Sequence, residues 1–296
     1  MIPLEICIDA NTATNTRLDV QTAYMGGAAT VELCTDLAAQ GLTPSPEMIT
    51  VARAAFGQRR GVMVMIRPRA GNFVYSPTEV ALMHEQIGVA AHAGADGVVL
   101  GLLTPQAYAC GTYAIDMPHV TMLTAYAKSL GLKVTFHRAF DELPIQTQPH
   151  ALLDQLIGAG IDRVLTCGAA LASGKHAVEC GAWLADLIDY AQGRIKVVIA
   201  GGVAAATVPT LLAQLPTEAS ARFGLHSHSG VIDPVTQRVS LAKVQQIMTY
   251  ITKCHEYINH DRSRLCVAST SPGRYRLGDF TAWGAISPRI WLGYPF

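Results

Sequence analysis

Two short segments near the start of the chain alternate between apolar and polar positions in the same way. The first is LEICID at residues 4–9, and the second is VELCTD at residues 31–36. Successive side chains of a β-strand point to opposite faces, so each segment predicts a strand with aliphatic side chains on one face. The other face of each strand carries a glutamate and a cysteine: Glu5 with Cys7, and Glu32 with Cys34.

Further β-rich runs follow and interleave with segments of helical periodicity. Gly27, Gly94 and Gly160 stand at comparable places before three of these runs, where a glycine closes a helix before a strand begins. The eight predicted strands start near residues 4, 31, 62, 98, 133, 163, 196 and 222. Apolar residues at helical spacing predict helices between them, over 79–92, 119–130, 149–158, 176–192 and 240–258.

Strands that alternate with helices predict a parallel sheet joined by right-handed crossovers. With eight strands, the closed form is an α/β fold, a single-domain (β/α)8 TIM barrel, here over residues 1–258. A doubly wound open sheet is the alternative, but the glycine-rich dinucleotide fingerprint is missing after the early strands. Residues 259–296 have no clear periodicity and predict an irregular C-terminal extension of unknown role, either wrapped on the surface or disordered.

Composition narrows the classes of partner. Half of the residues are hydrophobic, 15% are charged and the formal net charge is zero, which is typical of a compact soluble protein. Because there is no basic excess, we expect no nucleic-acid partner. We expect no membrane segment and no secretory signal either. The seven cysteines form no CxxC or zinc-ribbon spacing, which favours free thiols in a reducing cytoplasm.

In a TIM barrel the chemistry lies at the carboxyl ends of the strands. The residues that close the predicted strands are unusually polar and rich in sulfur. They are Glu5, Cys7, Glu32, Cys34, Met65, Arg67, His137, Arg138, Asp141, Thr166, Gly201, Gly202, His226 and Ser227.

Several of these strand ends lie in stretches that resemble the CutC family. The stretches are LEICID, GGAATVELCTDLAAQGLTPS, VMIRPRAGNFVYS, GADGVVLGLL, VTFHRAFDE, RVLTCG and AGGV, in the family's order over residues 1 to about 230. The resemblance implies a TIM barrel, a cytoplasmic and often dimeric protein, and a link to copper homeostasis, but no established reaction. The chain departs from the family at Gly224, before LHSHSG, and residues 259–296 match nothing in it.

The cysteines make direct copper binding the first functional hypothesis. Cu⁺ prefers thiolate, thioether and imidazole ligands, and neighbouring strands are about 4.8 Å apart, so Cys7 and Cys34 could reach one ion. His226 is the third candidate metal ligand. The alternative is that both cysteines are small buried apolar side chains, the commonest role of a free cysteine.

The glutamates support a second hypothesis, an enzyme of undefined reaction that acts on a small polar or phosphorylated metabolite. Two interior carboxylates need partners, and Arg67 and His137 are the expected ones. Glu5, Glu32, Arg67 and His137 are therefore the candidate catalytic residues, with His137 able to transfer protons. A third reading is a structural ion-pair network that fills the barrel.

Two further groups are candidate ligand-binding residues beside Arg67 and His137. Arg138 and Asp141 follow the fifth predicted strand, where a structural arginine–aspartate pair is an equal alternative. Gly201 and Gly202 end the seventh strand and precede a helix, a place where many TIM barrels bind phosphate. The expected partners are thus a metal ion or a small molecule, and a second copy of the chain in a homodimer.

Overall fold

The computed structural model describes residues 1–106, 112–216 and 221–265 of the chain. Eight parallel strands close into a barrel in which neighbours along the chain are neighbours in space, and the last pairs with the first. The barrel strands are β1 (Leu4–Asp9), β2 (Thr30–Cys34), β3 (Val62–Met65), β4 (Gly97–Leu100), β7 (Lys133–Phe136), β8 (Arg163–Thr166), β9 (Lys196–Ile199) and β10 (Phe223–Ser227). The predicted (β/α)8 barrel is confirmed, with every strand close to its predicted start.

Eight helices follow the strands. They are α1 (Ala13–Met25), α2 (Pro46–Phe56), α3 (Pro77–His92), α4 (Met117–Ser129), α5 (Pro149–Gly158), α6 (Gly181–Ala191), α7 (Val208–Leu212) and α8 (Leu241–Leu265). Local sequence explains several helix starts. In α3, Ser76 caps the backbone N–H of Glu79 while the Glu79 carboxylate accepts the Ser76 N–H, and Pro77 occupies the first turn.

The alternation along β1 separates two apolar layers. Leu4, Ile6 and Ile8 are fully buried in the main core between the sheet and the helices. Cys7 points into the barrel, where it packs in a small cluster with Cys34, Met63, Met65 and Val99. The period of two therefore assigned the inner and outer faces of the first strands correctly.

The structure adds elements that the periodicity did not predict. A two-stranded antiparallel hairpin, β5 (Leu103–Pro105) with β6 (Tyr113–Ile115), lies in the connection after β4. The helix expected over 176–192 is a 3-10 turn at Ala177–Glu179 followed by α6. The predicted domain end at residue 258 falls inside α8, and residues 266–296 of the predicted extension lie outside the described residues.

No helix in the part of the chain that the structure describes is long and apolar enough to cross a membrane.

Candidate functional site

A cavity of about 340 Å³ opens at the carboxyl end of the barrel. Its wall includes eight of the residues predicted from the strand ends, from both the sulfur-rich and the basic groups. They are Cys7, Glu32, Cys34, Met65, Arg67, His137, Arg138 and His226. Functional cavities of TIM barrels lie at this end, so the structure brings most of the candidate residues to the expected place.

The strand register determines how the two glutamate–cysteine pairs meet. Cys7 of β1 lies opposite Glu32 of β2, and Asp9 lies opposite Cys34. The two thiols are therefore one inward position apart along the barrel axis. Their Sγ atoms are 3.9 Å apart, and the Cys34 Sγ lies 3.7 Å from a carboxylate oxygen of Glu32.

His226 completes this cluster from the last strand. β10 pairs with β1 so that His226 lies opposite Glu5. Its Nδ1 is 3.0 Å from a Glu5 oxygen and 3.3 Å from a Glu32 oxygen. One donor atom from each of Cys7, Glu32 and His226 lies within 4.8 Å of the other two, a spacing that suits a shared metal ion.

The two thiols differ in their electrostatics. Interaction with the Cys34 thiol is the largest effect that lowers the pKa of Cys7 well below its usual value, and His226 adds to it against the effect of burial. The same sulfur–sulfur contact, together with burial, raises the pKa of Cys34. Cys7 is therefore the member of the pair that is favoured as the thiolate, which is the form that binds soft metals.

Glu5 has partners other than those expected from the sequence. Its carboxylate is 2.5 Å from the Arg163 guanidinium and 3.0 Å from His226. Burial alone would raise the pKa of Glu5, but Arg163 and His226 hold it well below its usual range. The prediction that Arg67 neutralises the buried glutamates is wrong, because Arg163 reaches Glu5 from β8.

Burial has the opposite outcome at Glu32. It raises the pKa of Glu32 to about 8, with only partial compensation from His226 and with added repulsion from Cys7 and Glu5. The pKa of His226 is raised well above its usual value, since Glu32, Cys7 and Glu5 together outweigh the effect of burial. The cluster therefore holds an imidazolium among acidic groups. One of these groups, Glu32, gains or loses its proton near neutral pH.

Arg67 forms hydrogen bonds to the loops at the carboxyl end of the barrel. Its guanidinium donates to the carbonyl oxygens of Ala39, Gly41 and Gly71, and lies 5.1 Å from the centre of the Phe73 ring. Its side chain is fully buried, and its Nε has no hydrogen-bond partner among the described residues. Arg67 thus lines the cavity and stabilises two loops, while its Nε remains an unpaired buried donor.

His137 also keeps an unused donor. Its Nδ1 accepts the backbone N–H of Ala139 at 3.0 Å, which places the proton of the neutral ring on Nε2. Burial, with a further contribution from Arg67, lowers the pKa of His137 to about 3, so the ring is neutral. Nε2 is buried and lacks a partner within the described part of the chain.

Arg138 and Asp141 form an ion pair, as in the structural alternative to a ligand-binding role for these two residues. They are 2.8 Å apart, and Asp141 also accepts hydrogen bonds from the Thr166 hydroxyl and the Cys167 N–H. Asp141 is completely buried, and burial raises its pKa against the effect of Arg138. Asp141 does not line the cavity, whereas Arg138 does.

Gly201 and Gly202 lie apart from the cavity. Both have positive φ, 90° and 72°, which favours glycine. A Cβ on Gly202 would lie 2.3 Å from the His176 ring, and one on Gly201 would lie 2.9 Å from the Cys167 side chain. These glycines therefore admit close packing of the loop after β8, and that loop covers the place where a phosphate was expected.

The strand-end prediction missed Arg163, the ion-pair partner of Glu5. Arg163 is the first residue of β8, at the amino end of the barrel, and so lay outside the search. Its inward position could have been predicted from the period of two, because Arg163 and the buried Leu165 lie on the same face of the strand. His228 lines the cavity, and its Nδ1 is 3.2 Å from the Cys7 carbonyl oxygen. The HSH pattern at 226–228 predicts that His226 and His228 share one face of the strand, although two histidines at this spacing are a metal motif of low specificity.

Comparisons with known proteins identify relatives of this chain. A family model described as the CutC family matches residues 2–220. A CutC protein of Vibrio campbellii is 39% identical over 211 residues, which cover 71% of this chain and 77% of the relative. A CutC protein of Rhizobium meliloti is 36% identical over 214 residues, 72% of this chain and 78% of the relative.

Solved structures include a member of the same family and further proteins with the same fold. A CutC protein from Streptococcus agalactiae, for which a role in copper homeostasis has been proposed, is similar with a TM-score of 0.63 and 32% identity, over 77% of this chain and 99% of that one. Deoxyribose phosphate aldolase from Aeropyrum pernix, at a TM-score of 0.53 and 16% identity over 84% of this chain and 89% of the aldolase, shares the fold alone. The chain belongs to the CutC family.

Proposed function

We propose that this CutC family member acts in copper homeostasis by binding Cu⁺ at the carboxyl end of its barrel, with Cys7, Cys34 and His226 as ligands. One observation carries the proposal: the two inward thiols are 3.9 Å apart. Metal–thiolate bonds are about 2.3 Å long, so one ion can contact both sulfurs without displacement of either strand.

The chemistry of the donor set also favours a soft ion. Thiolate and imidazole are the ligands that Cu⁺ prefers, and the Met65 side chain lies in the same cavity wall. Glu32, beside both Cys34 and His226, would take up or release the proton that accompanies binding. The free state of the described cysteines fits the proposed reducing, cytoplasmic compartment.

The test is an anaerobic Cu⁺ titration in competition with a chromophoric chelator. Wild type should bind one ion per chain, and the Cys7→Ser/Cys34→Ser double variant should bind it more weakly by at least about 100-fold, because two of the three proposed ligands are lost. Cys254→Ser is the matched control, since Cys254 is a buried free thiol in α8 outside the cavity. Equal affinity of the double variant and the control would refute the proposal.

A second candidate function has support from a different observation, the two unpaired buried donors on residues that line the same cavity. His137 Nε2 and Arg67 Nε are both buried without partners in the described chain. An unpaired buried donor costs about 1–3 kcal/mol, and a ligand oxygen would recover that energy. We therefore keep, as the alternative, an enzyme that binds a small polar or phosphorylated metabolite through these two groups.

This alternative is tested by thermal-shift measurements with carboxylated, carbonyl and phosphorylated metabolites. A true ligand should stabilise wild type and lose its effect in His137→Asn, which keeps an acceptor for Ala139 N–H but shortens the side chain. The absence of any stabilising compound, or equal stabilisation of the variant, would count against a metabolite site at His137.

A further inference from the structure

A second and larger cavity lies at the opposite end of the barrel. Its volume is about 560 Å³, within the range of about 300–1,000 Å³ that is usual for small-molecule sites. The wall is formed mainly by residues at the amino ends of the strands. None of the proposed copper ligands lines this cavity, although Glu5, which contacts His226, is part of its wall.

The wall of this amino-terminal cavity is basic. Five cationic side chains line it: Lys133, Arg163, Arg194, Lys196 and Arg222. Only two acidic side chains, Glu5 and Asp162, are part of the same wall. The whole chain is formally neutral, so this excess is a local concentration of positive charge.

Three of the five cations already have acidic partners. The ion pairs are Lys133 with Asp162 at 3.0 Å, Arg194 with Asp154 at 3.0 Å, and Arg163 with Glu5 at 2.5 Å. Even so, the Arg163 Nε is buried and lacks an acceptor among the described residues. Arg163 can therefore donate a further hydrogen bond.

Lys196 and Arg222 have no ion-pair partner within residues 1–106, 112–216 and 221–265. Lys196 lies opposite Arg163 in the register of β8 and β9, so two cations are neighbours on the inner face. Burial, with added repulsion from Arg163, lowers the pKa of the Lys196 ammonium group. Glu5 opposes this lowering without outweighing it, so a further anion beside the two cations would be stabilising.

We propose that the amino-terminal cavity binds a small multivalent oxyanion, of the phosphate or polycarboxylate type, through Lys196, Arg222 and the free Nε–H of Arg163. A guanidinium group matches the geometry of such oxygens, and a lysine contributes a compact positive charge. The site is distinct from the copper site, because its ligands lie at the opposite end of the strands.

The test is isothermal titration of the metal-free full chain with inorganic pyrophosphate, and separately with citrate, at constant ionic strength set by sodium chloride. We expect one saturable site for at least one of the two anions, which also identifies the preferred oxyanion type. Lys196→Met and Arg222→Met should each weaken binding by at least about tenfold. Lys253→Met, at an exposed position of α8, should bind as wild type does.

Two further measurements keep the test decisive. The Cys7→Ser/Cys34→Ser variant should bind the anion with wild-type affinity, so failure of the copper proposal leaves this one standing. If Lys196→Met does not fold, Arg222→Met alone decides, since Arg222 precedes β10 and is partly exposed. The proposal is overturned if neither anion saturates wild type, or if the folded cavity variants bind as tightly as Lys253→Met does.

Discussion

The neutral, buried His137 makes the stability of the protein depend on pH in a way that can be calculated. The ordinary pKa of histidine is 6.5, and in the folded chain that of His137 is lowered to about 3 by burial and by Arg67. Between these values the unfolded chain binds a proton at His137 and the folded chain does not. The free energy of unfolding therefore falls as pH falls below about 6.5, and this loss is complete below about 3.

The size of the effect follows from the difference of about 3.5 pKa units. At about 1.4 kcal/mol per unit, the full loss is about 5 kcal/mol. At pH 5 only part of this loss is expressed, because pH 5 lies only about 1.5 units below the pKa of the histidine in the unfolded chain. The loss from pH 8 to pH 5 is therefore about 2 kcal/mol from this residue alone.

The measurement is urea unfolding of wild type and His137→Asn at pH 8 and at pH 5. The asparagine oxygen can accept the Ala139 N–H in place of Nδ1, and it does not titrate. We expect wild type to lose about 2 kcal/mol more than the variant between the two pH values, or about 0.7 M in midpoint for an m-value near 3 kcal/mol/M. Comparison across pH within each protein cancels the packing cost of the substitution.

Parallel losses in the two proteins would refute the reasoning. They would mean that His137 takes up a proton in the folded chain as easily as in water, and hence that its ring is not held neutral. The unused Nε2 donor would then also lose its significance, because a protonated ring that water can reach has no need of a ligand oxygen.

Two further predictions concern stability at the amino end of the barrel and in the sheet. Arg163→Met should lower the free energy of unfolding by about 3 kcal/mol in chemical denaturation, because it leaves Glu5 buried without its closest partner; unchanged stability would contradict the importance of this ion pair. Gly97→Ala should cost about 1–3 kcal/mol, since its Cβ would lie 2.7 Å from the Lys133 carbonyl oxygen, whereas Gly158→Ala, with no atom within 4 Å of its Cβ at the end of α5, should be neutral or stabilising in the same thermal melts.

The sequence was sufficient for the fold because two periodicities agreed along most of the chain. Alternation with a period of two marked β1 and β2, and equally spaced glycines marked the helix-to-strand joints. The hairpin of β5 and β6 was missed because each strand has three residues, too few for any period to be visible. The helix predicted to follow Gly201 and Gly202 is present as α7, although it has only five residues.

The inward position of the glutamates and cysteines was also predictable, but their partners were not. Face assignment needs only the period of two, whereas pairing depends on height along the barrel and on the reach of long side chains. Arg163 is separated from Glu5 by 158 positions and meets it across the barrel. Arg67 lies two residues after the end of β3, at the level of the loops, so its guanidinium donates to carbonyl oxygens there.

The residues of the basic amino-terminal cavity could not be predicted from the carboxyl ends of the strands. Lys133, Arg163 and Lys196 are each the first residue of a strand, and the strands are β7, β8 and β9. In the sequence these are three separate basic residues, each followed by an apolar run. The parallel pairing of consecutive strands makes β7, β8 and β9 neighbours and so brings these basic residues together in one wall. The carboxyl-end cluster of thiols, carboxylates and His226 arises in the same way, from single residues that the closure of the barrel brings together.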